Sequence, residues 1–344
     1  MRVSRSKRAA TFRSRGSAQT EAGGPISAPG DTAPAEACGP QERGYPRGLK
    51  PAARCPSARA EARGSRHHDL AIVAGMGDVL RTNNLDSLDA LFNVSNADKL
   101  SKPGLDPWRE RLRLTLDVYG EQRTFYLKRF HNPPLKARRE MRRSVTGASS
   151  LAGMEWTWMH RLAADGISCV KPIAFGEQFR GAKELRSAIL MEAVPGASLE
   201  YWVDQWGEDD RPTIRSLVQP LAALVARLHE RGYIHRDLYL SHVFHDPASP
   251  PEASLHLIDL QRVIRPRWRH RRWIIKDLAS LNFSAPPHLV SKTDRLRWLT
   301  HYLGSPKLDA SAKRLAYRIV GKTQRIGDHQ RHRAARWQTG SKGS

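Results

Sequence analysis

The sequence predicts an α+β fold, with a small β-rich N-terminal half followed by a mainly helical C-terminal half. Three observations carry this prediction. Residues 109–130 alternate charged and apolar positions on either side of a glycine turn, the period of a half-buried hairpin. Residues 170–193 hold two further apolar runs, ended by Gly176 and by Pro195-Gly196. From Pro212 onward leucines recur three and four positions apart, the period of a helix.

The chain has 344 residues, enough for one two-lobed domain or two small ones, and a hydrophobic fraction of 40% supports a real core. Its three cysteines, Cys38, Cys55 and Cys169, form no C-x-x-C pair. That argues against a disulfide framework or a zinc site and fits a reducing cytoplasm. No apolar run approaches the roughly 18–20 residues of a membrane span, and the basic N-terminus lacks the apolar core of a signal peptide. The net charge of +23 predicts an anionic partner, whether nucleic acid, an anionic membrane face or a phosphorylated substrate. Nothing in the sequence fixes an oligomeric state.

Residues 1–75 are rich in Arg, Ala, Gly, Ser and Pro, with 13 Lys/Arg against 5 Asp/Glu in the first 66. Such a segment buries too little apolar surface to offset its ordering entropy, so a disordered basic extension is expected. Met76 opens a stretch of different character and offers an alternative translation start. The β-rich half is expected over 76–193. It contains a strand at Arg109–Val118, a turn at Gly120-Glu121 and a partner strand at Thr124–Phe130 that carries Lys128. After Pro133-Pro134 and a basic run (Lys136, Arg138, Arg139, Arg142, Arg143), a helix is expected over Ala148–Ala164 with Leu151, Met154, Trp158 and Leu162 on its apolar stripe. With strands near 170–176 and 186–193, the sheet comes to about five strands with one helix inserted. The helical half is expected over 194–320, beginning with an amphipathic helix at Pro212–Arg231 that Gly232 would cap. Further helices are expected from Trp273, over 293–304 and over 308–320, followed by a frayed basic tail at 321–344 with six Lys/Arg and one acid.

The chemistry concentrates where two short apolar segments each deliver a carboxylate. Gly232 to His242 reads G-Y-I-H-R-D-L-Y-L-S-H, and Leu255 to Leu260 reads L-H-L-I-D-L. The linker Asp246–Pro251 is neither helix nor central strand, so the two segments form a hairpin with both acids at one rim. Asp237 suits a hydroxyl whose proton must be accepted, and Asp259 suits a metal on a nucleotide phosphate. The H-R-D-L run resembles the catalytic loop of kinases, and Asp259 stands where D-F-G would stand. Glu155 falls on the buried face of its helix and needs a cationic partner. Lys128 has the order and spacing of the lysine that pairs with such a glutamate to hold nucleotide phosphates; the alternative is a Glu155 at the stripe's edge, in water. His242 occupies the place of a metal-binding Asn, as a ligand or as a packed histidine. Asp277, in a helix's first turn, is a structural candidate to brace the loop. Arg262, Arg265, Arg267, Arg269, Arg271 and Arg272 interleave with Trp268 and Trp273 beside these acids, a place suited to an anionic substrate.

Taken in order, Ile234–His242, Leu257–Arg262, Arg271-Arg272-Trp273, Lys276-Asp277-Leu278, Glu155-Trp156 with Met159–Leu162, Gly176-Glu177 and Ser198-Leu199-Glu200 resemble the lipopolysaccharide core heptose kinases (WaaP/InaA type) over roughly residues 85–305. The resemblance implies a protein-kinase-like bilobal fold and ATP- and Mg2+-dependent phosphorylation of a heptose in the lipopolysaccharide inner core. It also implies a cytoplasmic enzyme working peripherally at the inner membrane, with an anionic glycolipid acceptor that makes nucleic acid the disfavoured partner. It makes His242, with Asp259, a metal ligand, and Met191, Glu192 and Val194 the hinge beside adenine. The chain departs from kinases in having no G-x-G-x-x-G, with Lys102-Pro103-Gly104 as the only nearby loop candidate, and in reading Asp259-Leu260-Gln261 at the D-F-G position. The alternatives are a protein or other small-molecule kinase, or a catalytically silent kinase-like module that binds anionic membrane or nucleic acid.

Overall fold

A computed structural model describes residues 65–100, 106–142 and 146–340, all within one unit of the chain, Glu61–Ser344. The readings made for residues 1–64, Lys102-Pro103-Gly104, Arg143 and residues 341–344 lie outside the described residues. The N-terminal part contains β1 (Ser65–Ile72), α1 (Gly77–Thr82), α2 (Leu88–Asn93), β2 (Asp98–Lys99), β3 (Arg109–Val118), β4 (Glu121–His131), α3 (Leu135–Arg142), α4 (Leu151–Ala164), β5 (Pro172–Arg180) and β6 (Lys183–Glu192). Its strands form one six-stranded sheet in the order β1-β5-β6-β4-β3-β2, with every neighbouring pair antiparallel.

The alternation seen in β3 sorts its side chains as expected. Leu112, Leu114, Leu116 and Val118 are buried, and with Phe125 and Leu127 of β4 they pack against Leu80 of α1 and Leu88 and Leu91 of α2. Each such fully buried side chain contributes about 1.5–3 kcal/mol. The other face of this hairpin carries Arg111 opposite Lys128, and toward it comes α4. Ser150 caps α4 by accepting a hydrogen bond from Gly153 N–H at 3.0 Å. A Cβ at Gly153 would lie 3.0 Å from the Phe175 ring, so glycine there lets the helix sit directly on β5.

The C-terminal part contains β7 (Ala197–Ser198), α5 (Leu199–Gln205), α6 (Arg211–Ser216), α7 (Val218–Glu230), β8 (Val243–His245), β9 (Leu255–Leu257), α8 (His270–Ser284), α9 (Lys292–Leu303) and α10 (Ala310–Gly340). A second core joins it to α4: Trp158, Met159 and Leu162 meet Leu228, Tyr233, Leu257 and Leu278. The chain enters this part through Gly196, whose φ of +75° and closeness to the His245 carbonyl leave no room for a side chain.

Five expectations need correction. Residues 65–72, assigned to the disordered extension, form β1, which pairs with β5 from Ser65↔Arg180 to Ile72↔Ala174. Leu70 and Ile72 pack against the outer core, so ordered structure begins before Met76. The sheet has six strands, not about five, because β1 and the very short β2 carry too little pattern to stand out. The helix expected over 212–231 is two helices, α6 and α7, divided at Leu217. Pro220 lacks the N–H that would bond the Ser216 carbonyl. The two acids do not sit on one hairpin's strands: β8 and β9 pair as expected, but Asp237 lies in the loop before β8 and Asp259 in the turn after β9. Finally, the tail expected from 321 continues α10 to Gly340, because Thr323 and Ile326 face α8 and the core and Asn282 Nδ2 donates to Thr323 Oγ1 at 3.0 Å.

Two outcomes test this architecture. A chain begun at Met76 loses Leu70, Ile72 and Val73 from the sheet edge and should lose about 2 kcal/mol of stability in urea unfolding; an unchanged midpoint relative to a chain begun at Ser65 would remove β1 from the fold. Beneath α4, Glu184 is fully buried, bonds Ser187, and has its carboxyl pushed up to about 7 by burial. A carboxyl raised on folding is protonated in the native state while it ionises in the unfolded chain. The stability it contributes is therefore present below its ordinary value of 4.5 and lost as pH rises toward 7. Glu184→Gln should flatten the stability profile over that window, measured by denaturant midpoints at each pH.

Candidate active site

The site is built around Lys128. It sits on β4 with Arg111 and Ile189 as its register partners, and its Nζ lies 2.5 Å from Glu155 Oε1 and 3.3 Å from Asp259 Oδ1. Glu155 has no exposed surface, so the reading that placed it in water does not hold. Burial alone would lower the Lys128 pKa, but the carboxylates of Glu155 and then Asp259 raise it above its ordinary value. The ammonium stays charged and pins a strand to a helix and to the turn after β9. Lys128, and after it Arg111 at 3.7 Å, hold the Asp259 carboxyl well below the usual range.

Asp259 adopts a left-handed backbone, φ +55°, that turns its side chain back toward Lys128. His242 stands opposite, Nε2 at 3.8 Å from Asp259 Oδ2. Its Nδ1 lies 2.7 Å from the Asp237 carbonyl oxygen. A carbonyl only accepts, so Nδ1–H donates to it and Nε2 faces Asp259. His242 is thus constrained from both sides of its ring, by the Asp237 carbonyl and by Asp259.

Asp237 is held from several sides. Arg262 Nη1 donates to both its carboxylate oxygens, at 2.8 and 2.6 Å, and Lys276 Nζ lies 4.0 Å away. The loop that carries it is braced by Asp277, which is fully buried and accepts the backbone N–H groups of His235 at 2.7 Å and Arg236 at 2.9 Å. This sustains a φ of +71° at Arg236, costly for a residue with a Cβ. Asp277 does brace the loop, though from the middle of α8 rather than its first turn. His235 Nε2 bonds the Ile258 carbonyl at 3.0 Å, tying the Asp237 loop to the Asp259 turn.

Of the residues expected at the hinge, Met191 and Glu192 end β6 and Val194 lies just beyond it. Met191 is buried opposite Tyr126, and Glu192 is ion-paired to Arg123. Ala193 N–H donates to the Thr124 carbonyl at 3.0 Å. Lys128, Glu155, Asp259, His242 and Asp237 thus come together, with Met191, Glu192 and Val194 at the end of the strand next to Lys128. In the arginine run only Arg262 reaches the acids. Arg265 stacks on Tyr233, and Trp268 is largely exposed. Sequence reasoning missed Arg111 and Lys276. Arg111 reads as one more charge on a strand's wet face, and only its register opposite Lys128 marks it. Lys276 stands beside Asp277 in the motif, but only the turn of α8 brings it back to Asp237.

Among the described residues no group of three or more His, Cys, Asp or Glu is arranged to hold a metal, and no helix is long and apolar enough to cross a membrane.

The lipopolysaccharide kinase (Kdo/WaaP) family model matches residues 114–302, the span that runs from β3 to α9. The chain is 32% identical over 192 residues to the lipopolysaccharide core heptose(I) kinase WaaP of Pseudomonas aeruginosa, covering 52% of this chain and 72% of that protein. It is 30% identical over 228 residues to the enzyme of the same name from Escherichia coli, covering 60% of this chain and 84% of that one. A solved structure of WaaP in complex with acyl carrier protein matches with a TM-score of 0.55 and 25% identity, over 75% of this chain and 99% of that one. Its acyl carrier protein is a kind of partner that nothing in the sequence had suggested. The fold is kinase-like, and with more than half its length matched by the family model, the chain belongs to the lipopolysaccharide kinase (Kdo/WaaP) family and is an ATP-using phosphotransferase.

Proposed function

We propose that the chain transfers the γ-phosphoryl group of ATP to a heptose hydroxyl of the lipopolysaccharide core, as its relatives' names state for them. The observation that carries this reading is the convergence of Lys128, Glu155 and Asp259 within hydrogen-bond reach, beside an Asp237 held at the same wall through His242. Lys128 binds and orients the phosphates, and Glu155 fixes Lys128. Asp237, oriented by Arg262, accepts the proton of the attacking hydroxyl. The backbone around Met191, Glu192 and Val194 faces the adenine. The N-lobe then ends at Ala193 and the C-lobe begins at Val194, so that ATP lies under the sheet.

An ionised Asp259 and the Nε2 of His242 suit a divalent cation that takes its remaining ligands from phosphate oxygens and water, as Mg2+ does. Bound there, Mg2+ would neutralise charge on the phosphate oxygens. The missing Gly at the D-F-G position leaves these donors in place. The anionic acceptor is met at the inner-membrane face, in the cytoplasm, by a chain of net charge +23.

Asp237→Asn should lower kcat for phosphate transfer to purified lipopolysaccharide by about 10²–10⁴-fold and leave the Kd for Mg-ATP nearly unchanged. Wild-type activity retained in this variant would remove Asp237 from the chemistry. Wild-type protein that binds no Mg-ATP would favour the silent kinase-like module. Mass spectrometry of core phosphate with and without the gene separates a heptose acceptor from other kinase substrates.

Acyl carrier protein extends to this chain as a second partner. An apolar cavity of about 1180 Å³ opens among α5, α7, α8, α9 and α10, lined by Leu199, Trp206, Leu221, Leu281, Leu299 and Ile319. Its size and chemistry fit an acyl chain. Acylated carrier protein should raise the melting temperature where the unacylated form does not. Equal effects of both forms would leave the cavity without a role.

A further inference from the structure

The N-terminal turns of α8 and the middle of α10 line a separate cavity of about 390 Å³ that is open to solvent. Six cationic side chains line it: Arg271, Arg272 and Lys276 from α8, and Arg318, Lys322 and Arg325 from α10. The three on α10 stand at successive i, i+4, i+7 positions and so share one face of the helix. Trp273 and Ile275 complete the wall, and no acidic side chain takes part. Among the described residues, none of Arg271, Arg272, Arg318, Lys322 and Arg325 is ion-paired to a carboxylate. Charges of one sign held this close repel each other, and an anion entering among them relieves the repulsion. Guanidinium groups bind phosphate and carboxylate oxygens in pairs, at short range and with little dehydration cost.

The cavity's position gives it a role. Lys276 lines it and also reaches toward Asp237, with Nζ 4.0 Å from Oδ1, while donating to the Arg236 carbonyl. The Arg236 guanidinium lies over the Trp273 ring at 5.4 Å, so the wall of the cavity continues into the loop that carries Asp237. An anionic group seated there would lie one lysine side chain from the hydroxyl to be phosphorylated.

We propose that the α8–α10 cavity is the anion subsite for the acceptor, taking phosphate or carboxylate groups borne on the sugar chain next to the hydroxyl at Asp237. The assignment rests on the glycolipid acceptor proposed above. It gives α10 a direct part in substrate recognition, through three residues far in sequence from both catalytic acids.

The test uses the full chain with Arg318→Gln, Lys322→Gln and Arg325→Gln combined. The variant removes three charge-assisted contacts, so KM for purified lipopolysaccharide should rise about tenfold or more. KM for ATP and the melting temperature should hold. A second variant, Arg318→Lys with Arg325→Lys, keeps the charge and should retain most of the affinity. An unchanged KM for lipopolysaccharide in the triple variant would overturn the assignment. A binding arm uses neutral phospholipid vesicles doped either with lipopolysaccharide or with phosphatidylglycerol. Selective loss of binding to the lipopolysaccharide vesicles supports the subsite, whereas equal loss on both would make the cavity a general membrane-facing patch and overturn it. A wild type that phosphorylates no lipopolysaccharide would sink the acceptor reading instead, and the vesicle arm would still decide the cavity.

Discussion

The buried ammonium of Lys128 sets the terms for the rest of the structure. It comes from the middle strand of a sheet, its first carboxylate from a helix with no exposed surface at that position, and its second from the turn after β9. A charge in so little water persists only while its partners stay in place, so sheet, helix and C-terminal part are fixed to one another at a single point. Removing either acid leaves a cation with part of its hydration gone and unreplaced. The arrangement is therefore a constraint on how the two halves pack, at the place proposed above to hold the nucleotide phosphates. The Ser150 cap and the close approach at Gly153 serve the same end, since both set where α4 meets the sheet and thus where Glu155 stands.

A second buried acid does comparable work for the loop. Asp277 spends both carboxylate oxygens on the N–H groups of His235 and Arg236, and His235 in turn bonds the backbone before Asp259. The loop is held through its backbone, which frees the Asp237 side chain to meet Arg262 and Lys276. His242 adds the last link, since its ring spans from the Asp237 carbonyl to Asp259. Asp237 and Asp259, which come from different segments, are thus linked through one ring.

Much of this was legible in the chain. The amphipathic period of β3 and β4 and the stripe on α4 gave the elements, and the same stripe placed Glu155 inside. Once inside, a carboxylate needs a cation, which pointed to Lys128 before any contact was known. The illegible parts share a cause. β1 is short and flanked by a basic, proline-rich stretch, and only the partner strand β5 makes it a strand. The α10 turns around Thr323 and Ile326 look like a polar tail because they pack one narrow face on α8 and the core and leave the rest in water. Arg111 and Lys276 carry no signal of their own, because a charged residue acquires meaning only from the group it faces.

Local sequence determined which residues are the candidates for the chemistry: an H-R-D loop, a strand lysine, a helix glutamate and an acid after an apolar run are each written in a few consecutive positions. Those patterns rest on period, burial and charge, which act within one element. Where the acids point, which cations hold them, and the meeting of α8 with α10 around a basic cavity were decided by tertiary structure alone. They depend on register and on the packing of elements up to 131 residues apart, as Lys128 and Asp259 are, and no local pattern records a distance of that kind.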